Sequence, residues 1–326
     1  MFEFLIKKLK AHPRKIVFTE GTDPRILEAS ARLLSGTFLT PVLVGNPEEV
    51  QKVAEEIGFN IRGAEIIDPE TFADMDKMVA TMVELRKGKM SEEQCRAALK
   101  QGNYFGTMLV KMGYADALLG GATYSTADTV RPALQIIKTK PGSKIVSSCF
   151  ILVRPSATGD REVLAMGACA INIKPTEDEL VEIALETAAT AKVFGIDPKV
   201  AFLSYSTMGS GKGEDVDKMR NAFQKAHAAA PELAMEGELQ FDAAVSPTVA
   251  HTKCPNSTVA GHANTFIFPD INAGNIGYTL CQRMGSFDAY GPILQGLNAP
   301  INDLSRGCNA QEVYSMAIIT AGLCED

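Results

Sequence analysis

The strongest constraint on the fold of this chain is the regular alternation of short apolar segments with helical patterns. Apolar runs of strand length occur at Lys15–Thr19, Pro41–Gly45, Ala64–Asp68 and Asp116–Gly121, and a helical pattern follows each run. Buried parallel strands have near-continuous apolar sequences because helices cover both faces of their sheet. The first part of the chain is therefore predicted to be an α/β domain with a mainly parallel sheet.

The pattern changes at Lys140–Ser143. Two longer apolar runs follow, Ile145–Val153 and Val163–Ile173, with a short polar turn between them. Adjacent strands with a short connection are typical of a hairpin, so a second, mixed sheet is predicted. Later patterns predict helices at residues 176–194, 215–228 and 310–323 and strands at residues 199–206 and 265–270.

These changes place domain boundaries near residues 142 and 296. We assign residues 1–142 and 297–326 to a first α/β domain and residues 143–296 to a second. Helices on both faces of each sheet would give every domain three layers, helix, sheet and helix. The expected fold class is α/β, with two three-layer α/β/α domains and mainly parallel sheets.

Composition narrows the class of protein. Hydrophobic residues make up 46% of the 326 positions and charged residues 22%, which is typical of a soluble globular protein. The formal net charge of −7 argues against a nucleic-acid binder. No apolar stretch is long enough to span a membrane, and the basic N-terminus predicts a helix rather than a signal peptide. Seven cysteines without a C-x-x-C pair indicate reduced thiols and a cytoplasmic location.

The segment from Asn302 to Glu312 carries the clearest chemical signal. It places the hydroxyl of Ser305, the guanidinium of Arg306 and the carboxylate of Glu312 where a loop enters a helix. A cation, a neutral donor and free backbone N–H groups suit an anionic reacting group, and a carboxylate can accept a proton. Glu312 has a competing interpretation, because Asn309 and Glu312 also have the spacing of a capping box.

Other loops offer weaker candidates. Ser125 and Thr126 open a helix, and Arg131 lies within its first turns. For Arg86, composition alone favours an ordinary cation in a basic turn at a helix end, and Arg283 could be another such cation. The glycine-rich segment Thr207–Asp215 could hold phosphate or be a flexible turn, and it matches neither a Walker A motif nor a dinucleotide fingerprint.

Metal and cysteine chemistry have little support. The four histidines show no metal-ligand spacing, so no metal site is expected. Cys149 and Cys169 lie in apolar strand patterns, which favours buried structural thiols. Cys308 adjoins Arg306, which could lower its pKa, but no histidine lies near it in the sequence.

Several long motifs together resemble the phosphate acetyl/butyryltransferase family. The likeness extends from KIVFTEGTD near the N-terminus to the last helix, and its most specific parts are Thr129–Lys138, Gly237–Val245, Ala263–Tyr278 and Asn302–Cys308. The resemblance implies two α/β domains with the active site in the cleft between them. It also implies a homodimer, for which the second domain is the expected dimerisation domain.

The activity that this resemblance implies is reversible acetyl transfer between acetyl phosphate and coenzyme A. Both are substrates, so no cofactor is implied, and a functional link to acetate kinase is expected. The alternatives are a butyryl-specific transferase and a non-catalytic acyl-CoA-sensing module. A metal-dependent dehydrogenase of related fold would need clustered Asp ligands and a cofactor fingerprint, which the sequence lacks.

The resemblance also implies roles for individual residues. The catalytic pair of the family falls on Ser305 and Arg306, and its carboxylate falls on Glu312, where the family usually has Asp. The arginines that bind coenzyme A and acetyl phosphate fall on the set Arg86, Arg131 and Arg283, and we add Ser125 and Thr126 as candidate binding residues. Thiolate attack on the acetyl carbonyl in a ternary complex is the expected mechanism.

Overall fold

The structure is a computed structural model that describes residues 2–156 and 159–325. The chain divides into two compact units, one formed by Met1–Gly142 with Leu297–Asp326 and the other by Ser143–Gly296. Within the described residues, no helix is both long enough and apolar enough to cross a bilayer. Helices and strands are labelled below in chain order.

Among its described residues, the first unit contains five strands and eight α-helices. The strands are β1 (Arg14–Phe18), β2 (Leu39–Val44), β3 (Glu65–Ile67), β4 (Ala117–Gly120) and β11 (Ile301–Asp303). The helices are α1 (Glu3–Ala11), α2 (Pro24–Gly36), α3 (Pro47–Glu56), α4 (Met75–Arg86), α5 (Glu92–Ala98), α6 (Gly102–Lys111), α7 (Thr126–Pro132) and α13 (Ala310–Gly322). A π-helical segment, Ala133–Ile137, directly continues α7.

All five strands of the first sheet are parallel, in the order β11-β4-β1-β2-β3. Helices cover both faces. On one face, Met78 of α4, Phe105 of α6 and Ile136 of the π-helical segment are buried in a cluster with Val17 of β1. On the other face, α2 and α13 contact each other and the sheet. This arrangement confirms the parallel sheet that the apolar runs predict.

In the part of the second unit that the structure describes there are six strands and five helices. The strands are β5 (Ser147–Pro155), β6 (Arg161–Gly167), β7 (Val200–Leu203), β8 (Met235–Leu239), β9 (Thr265–Ile267) and β10 (Asp288–Gln295). The helices are α8 (Glu177–Val193), α9 (Glu214–Ala229), α10 (Phe241–Val245), α11 (Pro247–Lys253) and α12 (Ile271–Met284).

The second sheet is mixed, in the order β10-β5-β6-β9-β7-β8. β5 pairs antiparallel with both β10 and β6, and the pairs between β6, β9, β7 and β8 are parallel. This confirms the predicted hairpin, although Ala157 and Thr158 in its turn lie outside the described residues. The prediction that the second strand runs on to Ile173 is wrong. The strand ends at Gly167, and the chain then turns through positive φ values of 63° at Ala168 and 71° at Ile171.

Candidate active site

Three loops leave the same edge of the first sheet. β11, β4 and β1 are neighbouring parallel strands, so the loops that follow Asp303, Gly120 and Phe18 start at their common carboxyl edge. Ligands of open α/β sheets bind outside the carboxyl ends of the strands. The topology therefore places the loop with Ser305 and Arg306 beside two loops that are far away in the sequence.

Ser305 and Arg306 are both exposed on the loop between β11 and α13. The Ser305 Oγ accepts a hydrogen bond from the Gly307 N–H at 3.2 Å, and the Ser305 carbonyl accepts one from the Cys308 N–H at 2.9 Å. Within residues 2–156 and 159–325, no group bonds to or pairs with the Arg306 guanidinium. An unpaired, exposed guanidinium can bind an anion through two parallel N–H donors.

Glu312 forms the capping box of α13. The Asn309 Oδ1 accepts from the Glu312 N–H at 2.9 Å, and the Glu312 Oε2 accepts from the Asn309 N–H at 3.0 Å. The capping role that the Asn-x-x-Glu spacing predicts is therefore present. Only one carboxylate oxygen is needed for the cap, and the side chain is exposed. The second oxygen, Oε1, stays available to accept a proton.

The start of α7 is attached to the end of β11 through Asp303. The Asp303 carboxylate, which is 2% exposed, accepts hydrogen bonds from the hydroxyls of Thr126 at 2.6 Å and Thr129 at 2.5 Å. Burial raises the pKa of Asp303, although the two hydroxyls favour its charged form. The structure thus brings Thr126 close to the Ser305 loop, with its hydroxyl already bonded to the protein.

Asp128 holds two of the candidate residues on α7. Its carboxylate accepts from the Ser125 Oγ at 2.7 Å and from the Arg131 Nη1 at 3.1 Å. The hydrogen bond from Ser125 contributes most to the lowered pKa of Asp128. Arg131 is exposed and its ion pair spans a single helical turn, so its other donors are open to an anionic ligand.

Arg86 and Arg283 lie apart from the Ser305 loop along the chain. Arg86 ends α4, where its Nη1 makes a long contact of 3.5 Å with the Gln135 carbonyl. Its buried Nε has no partner among the residues that the structure describes. Arg283 is exposed in the last turn of α12, in the second unit, whereas the other candidate residues belong to the first.

The thiol of Cys308 is unsuited to nucleophilic chemistry. Burial raises its pKa to about 11, and this effect outweighs the opposing effect of the nearby Arg25 charge. The thiol is therefore protonated at neutral pH. Across the described part of the chain, no group of three or more His, Cys, Asp or Glu side chains has a geometry that would hold a metal ion.

The glycine-rich segment Thr207–Asp215 is fixed by hydrogen bonds to Ser206 and Glu238, which lie outside it. The buried Glu238 carboxylate accepts from the Gly209 N–H at 2.7 Å and the Ser206 Oγ at 2.8 Å, and it pairs with Arg220 at 3.0 Å. The Gly211 N–H bonds to the Ser206 Oγ at 2.8 Å. Two amide groups that could hold a phosphate are therefore already occupied.

Comparison with known proteins gives this geometry a context. A model of the family described as "Phosphate acetyl/butaryl transferase" matches residues 1–321. The chain is 52% identical to the phosphate acetyltransferase of Bacillus subtilis (strain 168), over 98% of both chains. A crystal structure of a phosphotransacetylase from Streptococcus pyogenes matches with a TM-score of 0.94 and 54% identity, over 98% of this chain and 97% of that one. The EutD phosphotransacetylase from Staphylococcus aureus matches with a TM-score of 0.91 and 48% identity, covering 98% and 96%.

The chain belongs to the phosphate acetyl/butaryl transferase family.

Membership of this family confirms the resemblance that the sequence motifs indicate, and it confirms the predicted α/β fold class with mainly parallel sheets.

Sequence reasoning missed three charged residues at this edge of the sheet, namely Glu20, Arg25 and Asp303. Glu20 Oε1 accepts from the N–H groups of Gly121 and Thr123, both at 3.1 Å. Arg25 bonds to the backbone of the Ser305 loop. The contacts that join these residues to other loops of this edge connect segments more than 100 positions apart in the sequence, so no local pattern could reveal them.

Proposed function

We infer that this protein is an enzyme that reversibly transfers an acetyl group between acetyl phosphate and coenzyme A. The observation that carries this conclusion is the match to phosphate acetyltransferases along nearly the whole chain at about half identity. The unpaired Arg306 beside Ser305 gives that activity a chemical basis, because the phosphoryl group of acetyl phosphate is an anion.

Arg306 and Ser305 stabilise the transition state of acetyl transfer. The coenzyme A thiolate attacks the acetyl carbonyl carbon, the bond from that carbon to the phosphate oxygen breaks, and inorganic phosphate leaves. Arg306 holds phosphate oxygens through two parallel N–H donors and stabilises the charge that develops in the transition state. Ser305 donates a hydrogen bond to the carbonyl or bridging oxygen. No acyl-enzyme forms, so both substrates must be bound at once.

Glu312 accepts the thiol proton. A thiol with a pKa of about 8.5 is largely protonated at neutral pH, so a base raises the fraction of thiolate. The capping box engages Oε2, and Oε1 can receive the proton. The cap also fixes the rotamer of the carboxylate, which favours a constant position for the base.

The remaining candidates bind the anionic groups of the substrates. Arg86 and Arg131 each have guanidinium donors that the protein leaves unused or weakly used, and Arg283 is exposed. We assign them to the phosphates of coenzyme A and acetyl phosphate. Ser125 and Thr126 shape the α7 end of this site, since their hydroxyls bond to Asp128 and Asp303.

The cellular setting follows from the chemistry. We propose that the reaction uses no prosthetic group, since the acetyl group passes directly from acetyl phosphate to coenzyme A, and that no metal ion takes part. An enzyme that forms or consumes acetyl phosphate is functionally linked to acetate kinase. All seven cysteines are free thiols, which is typical of the reducing cytoplasm.

Acyl preference tests the function directly. With coenzyme A, acetyl phosphate should give a higher kcat/KM than butyryl phosphate when thioester formation is followed in a spectrophotometer. A preference for butyryl phosphate would make the protein a butyryltransferase. Binding of acetyl-CoA without any turnover would instead indicate an acyl-CoA-sensing module.

Replacement of Arg306 tests the transition-state role. Arg306→Ala should lower kcat by roughly 10²–10³, the usual effect of removing one electrostatic donor. Steady-state kinetics with both substrates would measure this. A raised KM with nearly normal kcat would show that Arg306 only binds substrate.

Substitutions of Glu312 distinguish its role as a general base from its role in the helix cap. Glu312→Gln preserves the capping box, so it should keep the melting temperature while lowering kcat steeply. Glu312→Ala should lower both, and Glu312→Asp should retain substantial activity. Full turnover by the Gln variant would leave Glu312 with the capping role alone.

A homodimer formed through the second unit is the assembly that we propose. Ile276, Leu280 and Met284 are spaced four residues apart on α12 and are 58%, 52% and 81% exposed. Such a row of large apolar side chains on one helix face is typical of a protein–protein interface.

Negative charges introduced into this apolar row of α12 should dissociate the dimer. The double variant Leu280→Glu with Met284→Glu should sediment as a monomer at concentrations where the unmodified protein is a dimer. Phe4→Glu, at a position 65% exposed on α1 of the first unit, is the matched control and should stay dimeric. An unmodified protein that sediments as a monomer, or a double variant that remains dimeric, would contradict the proposal.

A further inference from the structure

The side chain of Arg25 makes more hydrogen bonds to the Ser305 loop than any candidate site residue does. It lies on the first turn of α2, and its Nη1 donates to the carbonyls of Arg306 at 2.9 Å and Cys308 at 3.1 Å. These two carbonyls lie on either side of Gly307 in the sequence. Because glycine has the greatest backbone freedom, two fixed points around it restrict the loop strongly.

The other donors of Arg25 connect two more segments of the same sheet edge. Its Nε and Nη2 donate to the two carboxylate oxygens of Asp23 at 3.0 and 2.7 Å, and Nη2 also donates to the Ala122 carbonyl at 2.9 Å. One guanidinium therefore joins the loops that follow β1, β4 and β11.

These contacts occupy the whole donor capacity of Arg25. A guanidinium has five N–H groups, and the five oxygen acceptors are the two of Asp23 and the carbonyls of Ala122, Arg306 and Cys308. The Asp23 carboxylate, 9% exposed, balances the charge. Arg25 thus has no donor left for a substrate phosphate, unlike Arg306.

We propose that Arg25 is a positioning residue that holds the backbone of the Ser305–Cys308 loop so that the Arg306 guanidinium is placed for acetyl transfer. This inference rests on the proposed role of Arg306. Misplacement of a catalytic group by about 1 Å can lower a rate by about 10²-fold, so the orientation of this loop is sufficient to control turnover.

The first test is the kinetics of Arg25→Ala and Arg25→Lys. Lysine keeps the charge but cannot span five acceptors. Both variants should lower kcat by roughly 10-fold or more with nearly unchanged KM, and added guanidinium should restore part of the kcat of Arg25→Ala. If Arg25→Ala does not fold, Arg25→Lys carries the test. An increase in KM for either substrate with normal kcat would show that Arg25 binds substrate, and normal kcat and KM would show that it has no role.

Arg32 is the matched control because it also connects α2 to α13. Its Nη2 donates to the Gln311 Oε1 at 2.7 Å and its guanidinium lies 4.3 Å from the centre of the Tyr314 ring. Within the described residues, it makes no hydrogen bond to the Ser305–Cys308 loop. Arg32→Ala should retain kcat. An equal loss of kcat in Arg32→Ala would assign the effect to general packing of α2 on α13, and the proposal would be wrong.

A double-mutant cycle separates this proposal from the function of Arg306 itself. If Arg25 acts through Arg306, Arg25→Ala should reduce kcat much less in an Arg306→Ala background than in the native background. An equal reduction in both backgrounds would overturn the positioning role while leaving the role of Arg306 intact. If Arg306→Ala alone retains kcat, the proposed catalytic role fails first, and the positioning role fails with it.

Discussion

The pairing of β11 with β4 is the interaction on which the site depends. It is a short parallel ladder, from Ile301 opposite Leu118 to Asp303 opposite Gly120. Because it is parallel, the loop after β11 leaves the same edge as the loops after β4 and β1. Residues near position 305 thereby become neighbours of residues near 20 and 122. Without this ladder, the loop that carries Ser305 and Arg306 would not lie beside the loops that follow β4 and β1.

Local sequence patterns predicted the elements whose signals are long or periodic. The buried strands β1, β2 and β4 were predictable from continuous apolar runs, and α8 and α13 from their periodicity and caps. β11 was not predicted, because a strand of three residues that includes Asn302 and Asp303 has no apolar pattern. These two polar residues are buried by tertiary contacts, which only the folded chain supplies.

The contacts of the candidate site also divide into those that the local sequence predicts and those that it does not. The Asn309–Glu312 capping box is confirmed because both partners lie within one turn and the pattern specifies both hydrogen bonds. The pairing of Asp303 with Thr126 and Thr129 joins residues more than 170 positions apart. Nothing in either segment indicates the other. The local sequence can thus indicate which side chains react, whereas the tertiary topology determines which groups position those side chains.

Arg25 and Arg306 show how one residue type has two opposite uses within a single loop cluster. Arg25 has every donor satisfied and its charge balanced by Asp23. Arg306 has no protein partner among the described residues, so its charge acts without local compensation. In a chain with a net charge of −7, an anionic substrate requires such a local cation. Because the Asp23 carboxylate balances the positive charge of Arg25, that charge does not repel the guanidinium of Arg306. The fold can therefore use one guanidinium to shape the loop and keep the next available for phosphate.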